Sequence, residues 1–137
     1  MTHESLQEAV VAVICQDGRY LFVKRSDYVE HAKGFWCPVS GRMEDDETQE
    51  QTLVREAMEE VGLEILPGRW VESIPTDNGL FTLHFWTATV IRGEAQIQGD
   101  EATELRWVRP DEMPLLQPVF ERDIEIIRNL DVARDFG

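Results

Sequence analysis

Residues 41–63 read GRMEDDETQEQTLVREAMEEVGL, and this acidic stretch is the most informative part of the chain. Its second part, residues 48–61, is rich in good helix formers, and Gly62 stands where a helix is expected to end. The first part is polar and acidic and begins with Gly41, which is free to adopt a positive φ angle. The stretch therefore predicts a loop followed by a helix that stops at Gly62.

Three glutamates of this predicted helix fall at helical spacing. Because a helix turns by about 100° per residue, Glu56 and Glu60 stand nearly above one another, with Glu59 beside them. Carboxylates gathered on one face repel each other at neutral pH, so their proximity indicates a compensating cation. The apolar residues gather on roughly the opposite side, where we expect the helix to dock on the core: Leu53, Val54, Ala57, Met58 and Val61.

The fixed positions of this stretch also match a known pattern. Gly41, Glu47 and the run REAMEEVGL at residues 55–63 resemble, at their spacing, the signature of the Nudix hydrolases. The resemblance implies an α/β fold, namely a Nudix-type α/β/α sandwich with a mixed β-sheet and a loop-helix-loop metal motif. It also implies an enzyme, a MutT-like pyrophosphohydrolase that acts on phosphorus-containing acid anhydrides.

The resemblance assigns a metal site to the motif. Carboxylate oxygens are hard ligands suited to Mg²⁺ or Mn²⁺, and Mg²⁺ takes only a few of them beside waters and substrate phosphates. By the family pattern, Glu56 and Glu60 are the principal metal ligands and Glu59 is a further one. The carbonyl of Ser40 stands where a glycine carbonyl is a metal ligand in some members. The predicted cofactor is Mg²⁺, with Mn²⁺ as a substitute.

Arg55 and Glu47 complete the motif. Arg55 has two partners open to it, Glu59 one helical turn on and Glu47 across the loop. In the family the arginine and the loop glutamate orient the ligand helix, so the resemblance favours Glu47 and places both residues in the catalytic set with Glu56. Gly41 is expected to bring the backbone close to metal or phosphate, or simply to allow a tight turn.

Two residues outside the motif extend the predicted site. Glu101 lies six residues before Trp107, where mutator-type members carry a further acidic ligand or base, with Glu104 as the competing candidate and a surface glutamate as the alternative. Arg25 ends a predicted strand, and its counterpart in mutator-type members contacts substrate phosphate. A fixed, always-charged fork suits that task, and a surface arginine is the alternative.

The approach to the motif departs from the family pattern. Family members commonly read Trp-x-Leu-Pro-Gly-Gly there, whereas residues 36–41 read WCPVSG. The asparagine with which mutator-type members read the base has only a poor counterpart near Gln117-Pro118. We therefore leave open the shape of the metal loop and the placement of the substrate, and we do not predict a role in removing oxidised guanine nucleotides.

Length and composition fit one soluble domain spanning residues 1–137, with 42% hydrophobic and 29% charged residues. No apolar run approaches the ~20 residues that span a bilayer, and the N-terminus lacks the basic region of a signal peptide. Cys15 and Cys37 form no metal or redox spacing, which favours a reduced, cytoplasmic setting. The net charge of −14 argues against a surface that coats nucleic acid, although divalent cations would let a small phosphorylated molecule approach.

The rest of the chain predicts hairpins interspersed with helices, and therefore a mixed sheet with helices on both faces. The predicted strands are 9–16 and 19–25, joined by an Asp-Gly turn, then 35–39, a mixed strand and turn segment over 63–74, 80–91 and 104–108. A loop is predicted over 26–34, one short helical turn over 111–115 and a helix over 120–130.

The leading functional hypothesis is Mg²⁺-dependent hydrolysis of a pyrophosphate bond in a nucleoside diphosphate linked to another group. The small size of the chain favours nucleoside triphosphates over ADP-ribose, dinucleoside polyphosphates or capped RNA ends. The alternative is a catalytically silent Nudix-fold module that binds a nucleotide. An isomerase of isopentenyl diphosphate ranks last, because Cys37 lacks the Asn-Thr-Cys context that such an enzyme needs. The oligomeric state stays open.

Overall fold

Strand β1 (Gln7–Gln16) lies inside a seven-stranded sheet in the computed structural model, which describes residues 7–136. β1 forms the predicted hairpin with β2 (Arg19–Arg25). The two turn residues, Asp17 and Gly18, have φ angles of 54° and 74°, as the common two-residue hairpin turn requires. The Asp-Gly signal in the sequence therefore predicted the turn correctly.

The other elements follow in chain order. The strands are β3 (Trp36–Cys37), β4 (Val39–Arg42), β5 (Glu64–Pro75), β6 (Phe81–Arg92) and β7 (Ala102–Val108). The helices are α1 (Gln49–Val61), a 3-10 helix (Pro110–Leu115), α2 (Glu121–Arg128) and α3 (Val132–Phe136).

The sheet is mixed, as predicted. Its strand order is β3-β2-β1-β6-β5, with β4 paired to β1 and β7 paired to β2. β1 and β6 run parallel, and the other paired strands are antiparallel. β4, which leads into α1, pairs with the first half of β1, so the start of the motif is anchored to the centre of the sheet.

Helices cover both faces of this sheet. Successive residues of a strand point to opposite faces, and β1 is buried on both. Val10 therefore packs in one core cluster with Leu53 of α1, while Val11 packs in a second cluster with Ile124 of α2. This arrangement confirms the predicted α/β/α sandwich.

Local hydrogen bonds fix both ends of α1. The Gln51 backbone N–H donates to Thr48 Oγ1 at 3.1 Å, and the Thr48 N–H donates to Gln51 Oε1 at 2.9 Å, which makes a capping box. At the other end Gly62 adopts a left-handed conformation with φ of 69°, and its N–H donates to the carbonyls of Ala57 and Met58. The predicted bounds of the helix are confirmed.

The buried face of α1 differs from the prediction. Val54 and Met58, which we expected on the core, are 39% and 50% exposed, whereas Glu56 and Glu60 are each only 7% exposed. Residues four apart in a helix differ by only about 40° around its axis, so a narrow stripe of such residues is sufficient to contact the core. The glutamates next to this stripe are then buried too. The residues of that stripe are Leu53, Ala57 and Val61.

Two further differences concern β5 and the C-terminus. The sequence indicated a break at Pro67-Gly68, but β5 passes through it with register shifts that absorb the irregularity. Gly68 is needed there because a Cβ would overlap Thr87 Oγ1. The short helix α3, which the sequence did not predict, packs against the β5 and β6 strands.

Within residues 7–136, no helix is long and apolar enough to cross a membrane. Most of the N-terminal segment on which the signal-peptide prediction rests, residues 1–6, lies outside the described residues. Cys15 and Cys37 are buried free thiols, as expected of small core residues. Burial raises the pKa of Cys37 to about 12, so its thiol stays protonated at neutral pH.

Candidate active site

A cleft of about 1020 Å³ opens between the motif, the loop over residues 26–34 and the start of α2. Its size suits a small organic ligand. The side formed by α1 carries Glu56, with Glu101 beside it, and we call it the acidic end. The side at the start of α2 carries the stacked rings of Phe35 and Phe120, and we call it the aromatic end. The two ends therefore offer different chemistry to one ligand.

Three carboxylates converge at the acidic end. One oxygen from each of Glu56, Glu60 and Glu101 lies within 4.8 Å of the others. The spacing of four residues stacks the first two on α1, while Glu101 comes from the loop before β7. We call this group the carboxylate trio. It can hold a divalent cation of the hard, oxygen-binding type.

The surroundings of the trio fit such a cation. Glu60 Oε2 is buried and finds no hydrogen-bond partner within the part of the chain that the structure describes. Burial and, second, repulsion from Glu56 raise the pKa of Glu60 well above its usual range, and burial also raises the pKa of Glu56. A buried acceptor without a donor is unfavourable, and a bound cation would offset that cost.

Gly41 makes room for the trio. A Cβ at residue 41 would overlap the carboxyl group of Glu56. Gly41 pairs with Val10 in the β4–β1 ladder, and its φ lies outside the left-handed region. The freedom of glycine to adopt a positive φ is therefore not used here, and Gly41 is required for space. Ser40 precedes it in β4 and also lines the cleft, but its predicted role as a carbonyl ligand stays a prediction.

Arg55 ties the motif loop to the trio. Its Nε and Nη2 donate to the two carboxylate oxygens of Glu47 at 2.7 and 2.9 Å. Its Nη1 donates to Glu56 at 2.8 Å and to Glu59 at 3.1 Å, and its Nη2 also donates to the carbonyl of Arg42 at 2.9 Å. Both partners that the sequence left open for Arg55 are therefore engaged. Hydrogen bonding by Arg55 is the main cause that lowers the pKa of Glu47 to about 2.

The other predicted acidic residues lie apart from the trio. Glu59 lines the cleft, but its side chain is 57% exposed and it is not one of the three converging carboxylates. Glu104 forms an ion pair with Lys24 at 3.6 Å, and of the two candidates before Trp107 only Glu101 joins the trio. The structure thus separates these two candidates by position.

Arg25 lies close to the acidic end. Its Nε donates to the carbonyl of His31 at 2.9 Å, which fastens the loop that forms one wall of the cleft. Its positive charge acts on Glu60 and partly opposes the rise in that residue's pKa. Contact between Arg25 and a substrate phosphate stays a prediction.

Asp123 is a site residue that sequence reasoning missed. It lines the cleft from α2, is 2% exposed, and has its pKa raised by burial to about 6. Beside it Arg122 lies 4.4 Å from the ring centre of Phe120, which stacks on Phe35 at 4.5 Å. The available signal was an aspartate directly before Ile124, on the apolar side of an amphipathic helix.

Known proteins resemble this chain over most of its length. A model of the NUDIX domain matches residues 5–130. The CTP pyrophosphohydrolase of Escherichia coli strain K12 is 34% identical over 122 residues, which cover 88% of this chain and 87% of that protein. The NAD-capped RNA hydrolase NudC of Enterobacter sp. strain 638 is 30% identical over 116 residues, 85% of this chain but 44% of NudC.

The fold is also found among solved structures. A MutT NUDIX hydrolase from Burkholderia pseudomallei superposes with a TM-score of 0.80 at 24% identity, covering 93% of this chain and 100% of that one. At this level of identity the likeness concerns the fold, and it agrees with the mixed sheet and the helix on each face.

Proposed function

This chain belongs to the Nudix family of hydrolases, and from that membership we propose that it is a Mg²⁺-dependent pyrophosphohydrolase of small nucleotides, with nucleoside triphosphates as favoured substrates. The observation that carries the proposal is the carboxylate trio at one end of a nucleotide-sized cleft. Glu56, Glu60 and Glu101 would hold the divalent cation. Bound there, the cation would mask phosphate charge, polarise a phosphoryl oxygen and lower the pKa of a bound water.

The chain's own residues would position the reacting groups. Arg55 holds Glu56 and Glu47 in place through charge-assisted hydrogen bonds, so the ligand helix and the motif loop keep one geometry. The oxygen of the attacking water would form a bond to phosphorus as the bridging P–O bond breaks. The phosphate group beyond that bond would leave with the electron pair, and one proton of the water would pass to a carboxylate. Glu101 is the most accessible member of the trio and therefore the best placed to accept that proton.

The aromatic end of the cleft supports a nucleotide as the ligand. Phe35 and Phe120 provide apolar surface on which the planar face of a base can pack. The carboxyl group of Asp123 can hydrogen-bond to polar atoms on a base edge. The phosphates would then extend towards the trio, where Arg25 adds positive charge.

The name of the E. coli relative, CTP pyrophosphohydrolase, adds CTP to the substrates worth testing. The name of NudC adds NAD-capped RNA, although this chain spans less than half of that protein. We favour the nucleoside triphosphate because the match to the CTP enzyme covers most of both chains. The silent binding module finds no support in the motif, since Glu56 and Glu60 are both present and meet Glu101.

A substrate panel tests the proposal. The enzyme would be incubated with the common nucleoside triphosphates, ADP-ribose, a dinucleoside polyphosphate and NAD-capped RNA, with Mg²⁺, with Mn²⁺ or with a chelator. We expect release of pyrophosphate and a nucleoside monophosphate from at least one triphosphate, only when metal is present. Nucleotide binding without release of any phosphate under all conditions would instead identify the silent binding module.

A further inference from the structure

Ser26 lies directly behind the loop that carries Glu101. It is 3% exposed, and its hydroxyl donates to the carbonyl of Asp100 at 2.6 Å. The backbone N–H of Ser26 also donates to the carbonyl of Glu101 at 2.9 Å. Two successive peptide groups of the loop are therefore held by this one residue.

The loop needs such a restraint. One oxygen of Glu101 lies within 4.8 Å of an oxygen of Glu56 and of Glu60, and carboxylates at such distances repel each other, so the loop has to be held at the site. Regular strand pairing gives little help, because the β2–β7 ladder shifts its register between Lys24 and Arg25, at the start of β7. Further back, the N–H of Gln98 donates to the carbonyl of Glu60 at 2.8 Å, so the loop is fastened to α1 before Asp100 and to Ser26 after it.

The same hydroxyl reaches the other wall of the cleft. Ser26 Oγ accepts a hydrogen bond from the backbone N–H of Tyr28 at 3.2 Å. Tyr28 lines the cleft, and its side chain is 83% exposed. Ser26 thus joins the ligand-facing loop over residues 26–34 to the loop that carries Glu101.

We propose that Ser26 is a positioning residue that holds Glu101 in the carboxylate trio. The proposal rests on the role of Glu101 given above. Removing a group that holds a metal ligand in place typically lowers metal affinity or activity about 10-fold to 100-fold. Ser26 is expected to act in this way without touching substrate or metal.

Metal binding tests the proposal without any need for turnover. The Mn²⁺ affinity would be measured by calorimetry for the wild type, Ser26→Ala, Glu101→Gln and the double variant. We expect Ser26→Ala to weaken Mn²⁺ binding about tenfold. In the Glu101→Gln background the same substitution should change the affinity by less than about twofold, because the residue through which Ser26 acts is already lost.

Thr87→Val is the matched control. Thr87 is fully buried, and its hydroxyl accepts a hydrogen bond from the N–H of Arg69 at 2.9 Å, away from the cleft. We expect Thr87→Val to lower the melting temperature about as much as Ser26→Ala does, but to bind Mn²⁺ like the wild type. If Ser26→Ala is not folded at the assay temperature, Ser26→Thr restores the hydroxyl and is expected to keep wild-type Mn²⁺ affinity.

Four results would overturn the proposal. The first two are unchanged Mn²⁺ affinity in folded Ser26→Ala, and a loss of Mn²⁺ affinity on Ser26→Ala that is equal with and without Glu101→Gln. The other two are wild-type Mn²⁺ affinity in Glu101→Gln itself, and a tenfold loss of Mn²⁺ affinity in Ser26→Thr. A substrate panel without turnover would count against the proposed hydrolysis, but it would leave this binding experiment valid. Failure of one claim is therefore distinguishable from failure of the other.

Discussion

Helices α1 and α2 cover opposite faces of the sheet and bury carboxyl groups at the same cleft, but they do so differently. α1 buries Glu56 and Glu60 at a spacing of four residues, and Arg55 on the same helix compensates part of their charge. α2 buries the single carboxyl of Asp123 beside aromatic rings. The proposed metal site thus depends mainly on a fixed pattern within one segment, to which Glu101 is added from another. The proposed ligand recognition depends on an isolated residue whose neighbours come from distant parts of the chain.

The buried carboxyl groups of both helices destabilise the folded protein. Burial raises the pKa of Glu60 and of Asp123, so each carboxylate is less favourable in the folded protein than in water. At the α1 end a metal cation would compensate the charge. At the α2 end Arg122 compensates it only in part, from 3.5 Å. Substitutions made at one end at a time separate the two roles.

The largest effect is expected at the α1 end from Glu60→Gln. The substitution removes a proposed metal ligand while keeping the shape of the side chain, and we expect kcat/KM to fall about 1000-fold or more, several kcal/mol of transition-state stabilisation. The melting temperature without metal should not fall, because a buried charge is removed. Glu50→Gln, on an exposed part of the same helix, is the control and should keep wild-type activity. A wild-type rate in Glu60→Gln would end the assignment.

Gly41→Ala should give the next largest loss. The added Cβ would displace the carboxyl group of Glu56, and we expect about a 100-fold lower kcat with a weakened response to metal. The matched control is Gly68→Ala, whose Cβ would overlap Thr87 Oγ1 outside the cleft. The control should lower the melting temperature but keep the activity per folded molecule. Equal losses of activity in both variants would show that crowding in general, and not the position of Glu56, is responsible.

Arg55→Lys should produce a smaller loss. Lysine keeps the charge but cannot reach Glu47 and Glu56 with the planar fork of arginine, so we expect kcat to fall about tenfold. The control is Arg69→Lys. The guanidinium group of Arg69 binds Asp135, with N–O distances of 2.7 Å, and this pair lies outside the cleft. That control should affect the melting temperature without affecting turnover. Full activity in Arg55→Lys would show that its charge alone is sufficient.

Asp123→Asn tests the α2 end through pH. The pKa of Asp123 is about 6 in the folded protein and ordinarily 3.8, so folding favours the protonated carboxyl. The contribution of this protonation to the free energy of unfolding is therefore present below about pH 4 and is lost as the pH rises through 6. Asparagine cannot ionise. The free energy of unfolding of the variant should therefore exceed that of the wild type by roughly 1–3 kcal/mol at pH 8 and converge with it near pH 4, as measured by urea unfolding.

The same variant also separates recognition from chemistry. We expect Asp123→Asn to alter the relative kcat/KM for different bases by about tenfold, while the dependence on metal stays that of the wild type. A stability difference between variant and wild type that does not change with pH would contradict the raised pKa. An unchanged ranking of bases would remove Asp123 from substrate recognition.

The sequence predicted the α1 end well because local rules govern it. Thr48 and Gly62 are capping residues with specific signals, and the glutamate spacing in a helix follows from its geometry. The predictions about α1 that did not hold depended on tertiary contacts. The exposure of Val54 and Met58 follows from how α1 docks, and the need for Gly41 follows from where the Glu56 side chain points.

The α2 end could not be predicted in the same way. Asp123 precedes an apolar residue in an ordinary amphipathic pattern, and nothing local shows that its carboxyl faces a cleft rather than solvent. Its partners arrive from elsewhere, since Phe35 lies far away in the sequence. Glu101 is intermediate, because a family spacing indicated it, whereas the hydrogen bonds between its loop and Ser26 are visible only in the folded chain.

Mn²⁺ binding to the wild type and to Glu56→Gln/Glu60→Gln, followed by electron paramagnetic resonance, tests directly whether the carboxylate trio is a metal centre. The carboxylate trio as a divalent metal centre predicts that the wild type binds Mn²⁺ and that the folded double variant binds it about 100-fold more weakly or worse. Equal affinity in the two proteins would contradict the account, because the buried carboxylates of α1 would then serve no cation.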